Sequence, residues 1–251
     1  GTVIDCTSYT GTLTLTGTVT IKKPLTLLFG KVIINFSTGN GRHMFHIQSS
    51  NVEIIGLNRS TATASGDAGT LFRMNVSGAG YHIYAANTNT TGTASASGLV
   101  LENIDFEGLK STYTSVSNVA TYSYAGAGGI LISEGNPDQS GSNIANISLK
   151  NIHVNSARHH GIMIYGAITS RLEKCRVRNT GGHAYYIAGS STSVHFDTCY
   201  ALSANLAGFC LHGSSYSVLT ACAADNCSVG YWLRSAKATT ITSCGAEAST
   251  I

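Results

Sequence analysis

Proline and charge are both scarce in this chain. Two prolines occur in 251 residues, and Asp, Glu, Lys and Arg together make up 11%, against about 25% in an average soluble domain. With so few prolines, backbone donors are available for strand ladders along almost the whole sequence. A formal net charge of +3 is too small for a nucleic-acid surface, which calls for a dense basic stripe. The only basic cluster is Arg171, Lys174, Arg176 and Arg178. No run of about 18 apolar residues occurs, so no membrane-spanning helix is expected. The seven cysteines include no Cys-x-x-Cys pair, so a zinc site is not expected; no other metal and no cofactor is assigned. Their odd number leaves at least one thiol unpaired unless it bridges chains. The chain starts without an initiator Met or signal peptide and stops inside a repeat, so it reads as a fragment or a processed piece.

What the chain does have is Gly, Ser, Thr, Ala and Asn, with 43% hydrophobic residues, enough for a core and too many for disorder. It also has a repeat. Cys175, Cys199, Cys222 and Cys244 are 24, 23 and 22 residues apart, and each follows an apolar residue by three positions: Leu172, Phe196, Leu219 and Ile241. A second motif interleaves with the first: Gly161-Ile-Met-Ile, Ala184-Tyr-Tyr-Ile, Gly208-Phe-Cys-Leu and Gly230-Tyr-Trp-Leu.

Units of about 23 residues with two short alternating segments cannot bury a hydrophobic face alone, but stacking them does. The segments are rich in Thr, Ser and β-branched residues and show period two, which favours strands over the helical half of a leucine-rich repeat. The expected fold is all-β: one right-handed parallel β-helix over residues 1–251, with about 22–24 residues per turn. Running the frame backwards assigns Ile152, Ile104 and Leu57 to the cysteine position. It also assigns Met44-Phe-His-Ile, Thr70-Leu-Phe-Arg-Met and Gly129-Ile-Leu-Ile to the second motif. Longer spacings in this half imply loops at about 76–97, 108–127 and 134–143, and loops on a rigid scaffold are where binding usually resides. Cysteine is a small hydrophobe suited to an inward column, so a reduced stack is expected in preference to disulfides.

With these frames and the opening Gly11-Thr-Leu-Thr-Leu-Thr-Gly and Pro24-Leu-Thr-Leu-Leu-Phe-Gly, the chain resembles the pectate-lyase-like β-helix proteins, and within them phage tailspikes. The resemblance covers nearly the whole chain, and it specifies architecture better than reaction. It implies a homotrimer, outside the cell or on a virion tail, that binds a bacterial surface polysaccharide, often with hydrolysis or elimination. The acidic calcium-binding cluster of pectate lyases proper has no counterpart in this sequence.

If the cysteine frame points inward, the residue two before each cysteine points out. That column reads Ile55, Glu102, Lys150, Glu173, Asp197, Thr220, Thr242. Glu173 and Asp197 then lie on successive turns, the arrangement in which one carboxyl can protonate a glycosidic oxygen while the other attacks or activates water. Arg171 and His195 flank them on one side, with His153, Arg176 and Tyr200 on the other. The same cations would serve equally in a solvated ladder of ion pairs. The second motif places Met163, Tyr165, Tyr186, His212, Trp232 and Arg234 on an outer strip, suited to stacking on sugar rings or to burial between protomers. Arg158-His159-His160, with His183 one turn on and Glu134 and Asp138 in a loop above, could supply an acid or base or be turn residues bonded to backbone.

Three readings remain open at this point. The first is a tailspike-like depolymerase whose catalytic acids are Glu173 and Asp197. The second is a non-catalytic adhesin or structural β-helix. The third is a lyase or epimerase of an acidic glycan, with Tyr200 or a histidine as base and Arg176 neutralising the sugar carboxylate.

Overall fold

The computed structural model describes residues 1–39, 41–56, 69–74, 76, 78–86, 96–109, 128–133 and 144–249. Among these the chain forms three sheets of ten, nine and eight strands, and every pairing is parallel between successive turns. One turn shows the plan. Ala167–Glu173 runs in the first sheet, Arg176–Thr180 in the second and Tyr185–Ala188 in the third. Thr192–Asp197 then returns to the first sheet and pairs with Ala167–Glu173 one turn below. Each turn therefore contains three strands where the sequence periodicity shows two. The extra one is the second-sheet strand, whose inward side in the upper turns is small: Val154, Val177, Ala201 and Ala224 in register, above Phe72 and Phe106.

The corners explain why the path closes. The residue just before each corner position, Ile104, Ile152, Cys175, Cys199, Cys222 or Cys244, adopts a left-handed conformation: Asn103, Asn151, Lys174, Thr198, Ala221 and Ser243 have φ between 51° and 58°. Ser156, Asn179, Ser203 and Asn226 do the same between the second and third sheets. Asn and Ser tolerate this region comparatively well, and the asparagines also bond along the stack. Asn151 Nδ2 donates to Asn103 Oδ1 at 2.7 Å.

The core is a set of columns. Leu101, Leu149, Leu172, Phe196 and Leu219 line the first sheet, all at most 1% exposed. From the third sheet Tyr185, Phe209 and Tyr231 stack face to face at 4.7 and 5.2 Å, the offset-stacked range for aromatic pairs. Their tips reach across the solenoid to the opposite corner. Tyr185 Oη donates to the carbonyl of Cys175 at 2.8 Å, and Tyr231 Oη to that of Cys222 at 2.8 Å. Cys175, Cys199 and Cys222 are buried beside these contacts as free thiols, as the inward column predicts. Burial pushes the Cys199 and Cys222 thiols up; at Cys222 the neighbouring Cys199 thiol is the larger cause.

Two features of the sequence frame need correction. Thr70–Met74 belongs to the second sheet, and the third-sheet strand of that turn is Ile83–Ala86, inside the stretch 76–97 expected to be a loop. Tyr84, not Arg73, therefore sits between His46 and Leu131 in the outward column. The misplacement follows from the unseen second-sheet strand, which shifts the assignment by one corner. Leu57, Asn75, Glu134, Asp138 and the loop stretches 110–127 and 134–143 lie outside the described residues.

Candidate functional site

The first sheet's outward column is in place. Glu102, Lys150, Glu173, Asp197, Thr220 and Thr242 are in register on successive turns. Glu173 and Asp197 are direct neighbours, so their backbones are about 4.8 Å apart. Arg171 lies across both: its Nη2 is 3.4 Å from Asp197 Oδ2 and 3.7 Å from Glu173 Oε2. Lys174 Nζ adds a contact of 3.6 Å to Glu173 Oε1. One turn lower, Lys150 pairs with Glu102 at 3.4 Å. The acid pair is thus bridged by Arg171, with Lys174 on Glu173, and stands one turn above the separate Lys150–Glu102 pair. His195 is exposed, in register with Arg171 on the outer flank.

Across the corner, Asp105, His153, Arg176 and Tyr200 form the matching column of the second sheet. His153 Nδ1 lies 3.4 Å from Asp105 Oδ1. The Arg176 guanidinium sits over the Tyr200 ring, 5.2 Å from its centroid, a cation–π arrangement. Tyr200 is held in turn by its hydroxyl, which donates to Asp225 Oδ2 at 2.7 Å. That bond is the main reason its phenol pKa is raised. The next outward column carries Arg73 bonded to Glu107 at 2.8 Å, then Asn155 and Arg178. Arg178 Nε donates to Asn155 Oδ1 at 3.1 Å. The two sheets together bring Glu173, Asp197, Arg171, His195, His153, Arg176 and Tyr200 onto one flank, as the frame predicts.

The aromatic strip of the third sheet is different. Met163, Tyr186 and Cys210 do point outward, but they are only 4%, 3% and 3% exposed. They form a second apolar cluster with Tyr81, Leu131, Ala188 and Ala207, flanked by half-buried Tyr84 and Tyr165. The expected exposed strip survives only at its upper end, where Trp232 is 39% exposed and Arg234 is open to solvent. Alternation shows which way a side chain points. It does not show whether the outer face is covered, and a strand such as Ile162–Tyr165, apolar on both sides, is the mark of one covered on both faces. Tyr186 Oη is 3.2 Å from His212 Nδ1, and burial raises its pKa.

The histidine corner is a structural element. His160 and His183 are buried and their rings stack at 5.1 Å. His160 Nδ1 accepts the backbone N–H of His183, and His183 Nδ1 accepts that of Ala207, both at 3.0 Å. His43 and His82 repeat the device lower down, taking the amides of Tyr81 and Gly129. Burial depresses all four: His43, His82 and His183 to about 4, and His160 well below its ordinary value. The signal lies in the sequence as four histidines, each one or two positions before a third-sheet strand, but His82 fell in the stretch 76–97 read as a loop. Among the described residues no group of three His, Cys, Asp or Glu side chains is placed to hold a metal ion.

No curated protein matches the chain. The family model described as "Right handed beta helix region" matches residues 30–245. With three parallel sheets stacking turn upon turn through that span, the chain belongs to the right-handed β-helix family.

Proposed function

We propose that this β-helix binds an extended bacterial surface polysaccharide along the flank where its first and second sheets meet, as the shaft of a tailspike-like homotrimer acting outside the cell. The observation that carries the reading is the in-register strip there. Lys150, Glu173 and Asp197 on one sheet run beside His153, Arg176 and Tyr200 on the other, every side chain at least partly open to solvent. A linear polymer lying along the stack would meet hydrogen-bonding groups at every turn, together with the edge of a tethered aromatic ring. The third-sheet strip supports the reading less, because its aromatics are already packed within the chain.

Cleavage is a second reading, favoured by the adjacency of Glu173 and Asp197 under one guanidinium. In it one carboxyl protonates the glycosidic oxygen while the other attacks the anomeric carbon or activates water. Affinity electrophoresis through gels containing bacterial capsular polysaccharides tests binding. Retardation by at least one polymer, weakened by Tyr200→Ala, is the expected result; free migration through all of them would overturn the reading. Release of reducing ends from a retarding polymer, lost in Glu173→Gln or Asp197→Asn with retardation kept, would establish the second reading over simple adhesion. Light scattering that gives a monomer mass would remove the trimer.

A further inference from the structure

Charge on this flank is distributed unevenly, and the unevenness names a ligand class. Most of the basic side chains there already have an acid. Arg73 has Glu107, Lys150 has Glu102, His153 has Asp105, Lys174 has Glu173, and Arg171 has both Glu173 and Asp197. Arg176 and Arg178 are the contrast. They lie two residues apart on the strand Arg176–Thr180, pointing to the same side and about 6.6 Å apart along it. Among the described residues neither makes an ion pair.

Both are nevertheless held in place. Arg176 lies over the Tyr200 ring, and Tyr200 is anchored to Asp225. Its Nε is buried without a hydrogen-bond partner, a cost tolerated at the root of the guanidinium. Arg178 is fixed through Nε by Asn155, whose Oδ1 also accepts Asn179 Nδ2 at 3.2 Å. Arg176 is thus held through its face, against the Tyr200 ring, and Arg178 through the stem side of its fork. The planar end, which matches a carboxylate bidentately, carries no acid partner from the chain.

We infer that Arg176 and Arg178 form a paired carboxylate clamp, so that the polymer bound on this flank is an acidic glycan whose sugar carboxylates engage the two guanidinium groups. The inference rests on the glycan-binding reading above and narrows it. A neutral polysaccharide would leave two oriented guanidinium groups unanswered, whereas a uronate supplies the missing counter-charge on a planar two-oxygen group. Across the corner, Glu173 and Asp197 are engaged by Arg171, while Asp225 and Glu107, two turns away in the Arg178 column, are occupied by Tyr200 and Arg73.

The test is an array of bacterial capsular polysaccharides, some containing uronic acids and some neutral, with dextran sulfate as a polyanion lacking carboxylates. Wild-type protein is compared with Arg176→Gln/Arg178→Gln and with Lys22→Gln/Lys23→Gln, which removes the same charge from an exposed site elsewhere. The expected result is binding to one or more uronate polymers and to no neutral one. The arginine double variant should weaken it more than tenfold, and the lysine double variant less than twofold. Equal binding of dextran sulfate would replace the carboxylate clamp with unspecific polyanion attraction. Neutral polymers bound equally by wild type and the arginine variant would overturn the clamp while leaving glycan binding intact. No binding to any polymer would overturn both. Circular dichroism and thermal midpoints matching wild type establish that the variants are folded.

Discussion

The Nδ1 atom of His160 accepts the backbone amide of His183, its neighbour one turn up the stack, at 3.0 Å. An imidazole nitrogen that accepts a hydrogen bond carries no proton, so the native corner requires a neutral ring. Three further histidines, at positions 43, 82 and 183, make the same contact.

Acid should therefore weaken the fold before it reaches any carboxylate range. In the unfolded chain these histidines titrate near 6.5, while His43, His82 and His183 in the native chain are held at about 4. Their contribution is complete above about pH 6.5 and is lost as the pH falls towards 4, because only the unfolded state takes up the protons. Each histidine adds a slope of up to about 1.4 kcal/mol per pH unit in that window. Urea midpoints at pH 7.5 and pH 5 measure it, and equal midpoints would contradict the neutral ladder.

The corner conformation gives opposite expectations for two small residues. Ala221 has φ 51°, a region costly to a residue with a Cβ. Ala221→Gly should raise stability by up to about 1 kcal/mol. A Cβ on Gly161 would collide with Val177 Cγ1 and approach the Ala184 carbonyl at 2.8 Å. Gly161→Ala should cost about 1–3 kcal/mol. Thermal unfolding of the pair decides whether backbone conformation or contact space governs each site.

Tyr185→Phe should cost about 1 kcal/mol while leaving the aromatic stack intact. The lost hydroxyl is shared between the carbonyls of Cys175 and Tyr200 at 2.8 and 3.2 Å. Chemical denaturation compares it with Phe209→Leu, which breaks the stack itself and should cost more.

The thiols should be nearly silent in the native protein. Cys199, Cys210 and Cys222 are buried, and burial pushes Cys210 up to about 12. Because the thiolate is the reactive form, iodoacetamide at pH 8 should label only the half-buried Cys6 and Cys244 until denaturant is added. Mass spectrometry of the native and unfolded chains reads the difference, and ready labelling of Cys199 in the native state would contradict the packed column.

The acid pair bears little on stability. Arg171 is 62% exposed at its side chain, and pairs of this kind contribute about 0–1 kcal/mol. Glu173→Gln should leave the thermal midpoint close to wild type, so any loss of polysaccharide turnover could be assigned to chemistry.

How much of this was legible beforehand differs from column to column. The frame ending at Cys175 and its repeats placed Glu173 beside Asp197, and Arg176 beside Tyr200, because strong apolar residues mark every turn of the first sheet. The second-sheet strands of the last four turns escaped notice because each offers one or two small inward residues, too few to show alternation in five positions; lower down, Thr70–Met74 shows large inward residues and reads as a strand of the wrong sheet. The covered outer face around Tyr186 escaped for a different reason. Direction along a strand is periodic, but whatever lies against the outside of a sheet is set by distant chain, and the same holds for Tyr185, whose polar tip is satisfied at the far corner.

Because each turn rests only on the turns directly above and below it, the flank behaves as a row of separately addressable positions. Exchanging the side chain at one level alters the surface offered at that level and disturbs little beyond the adjoining two. A scaffold built this way can change the chemistry it presents, level by level, while the stack itself stays as it is.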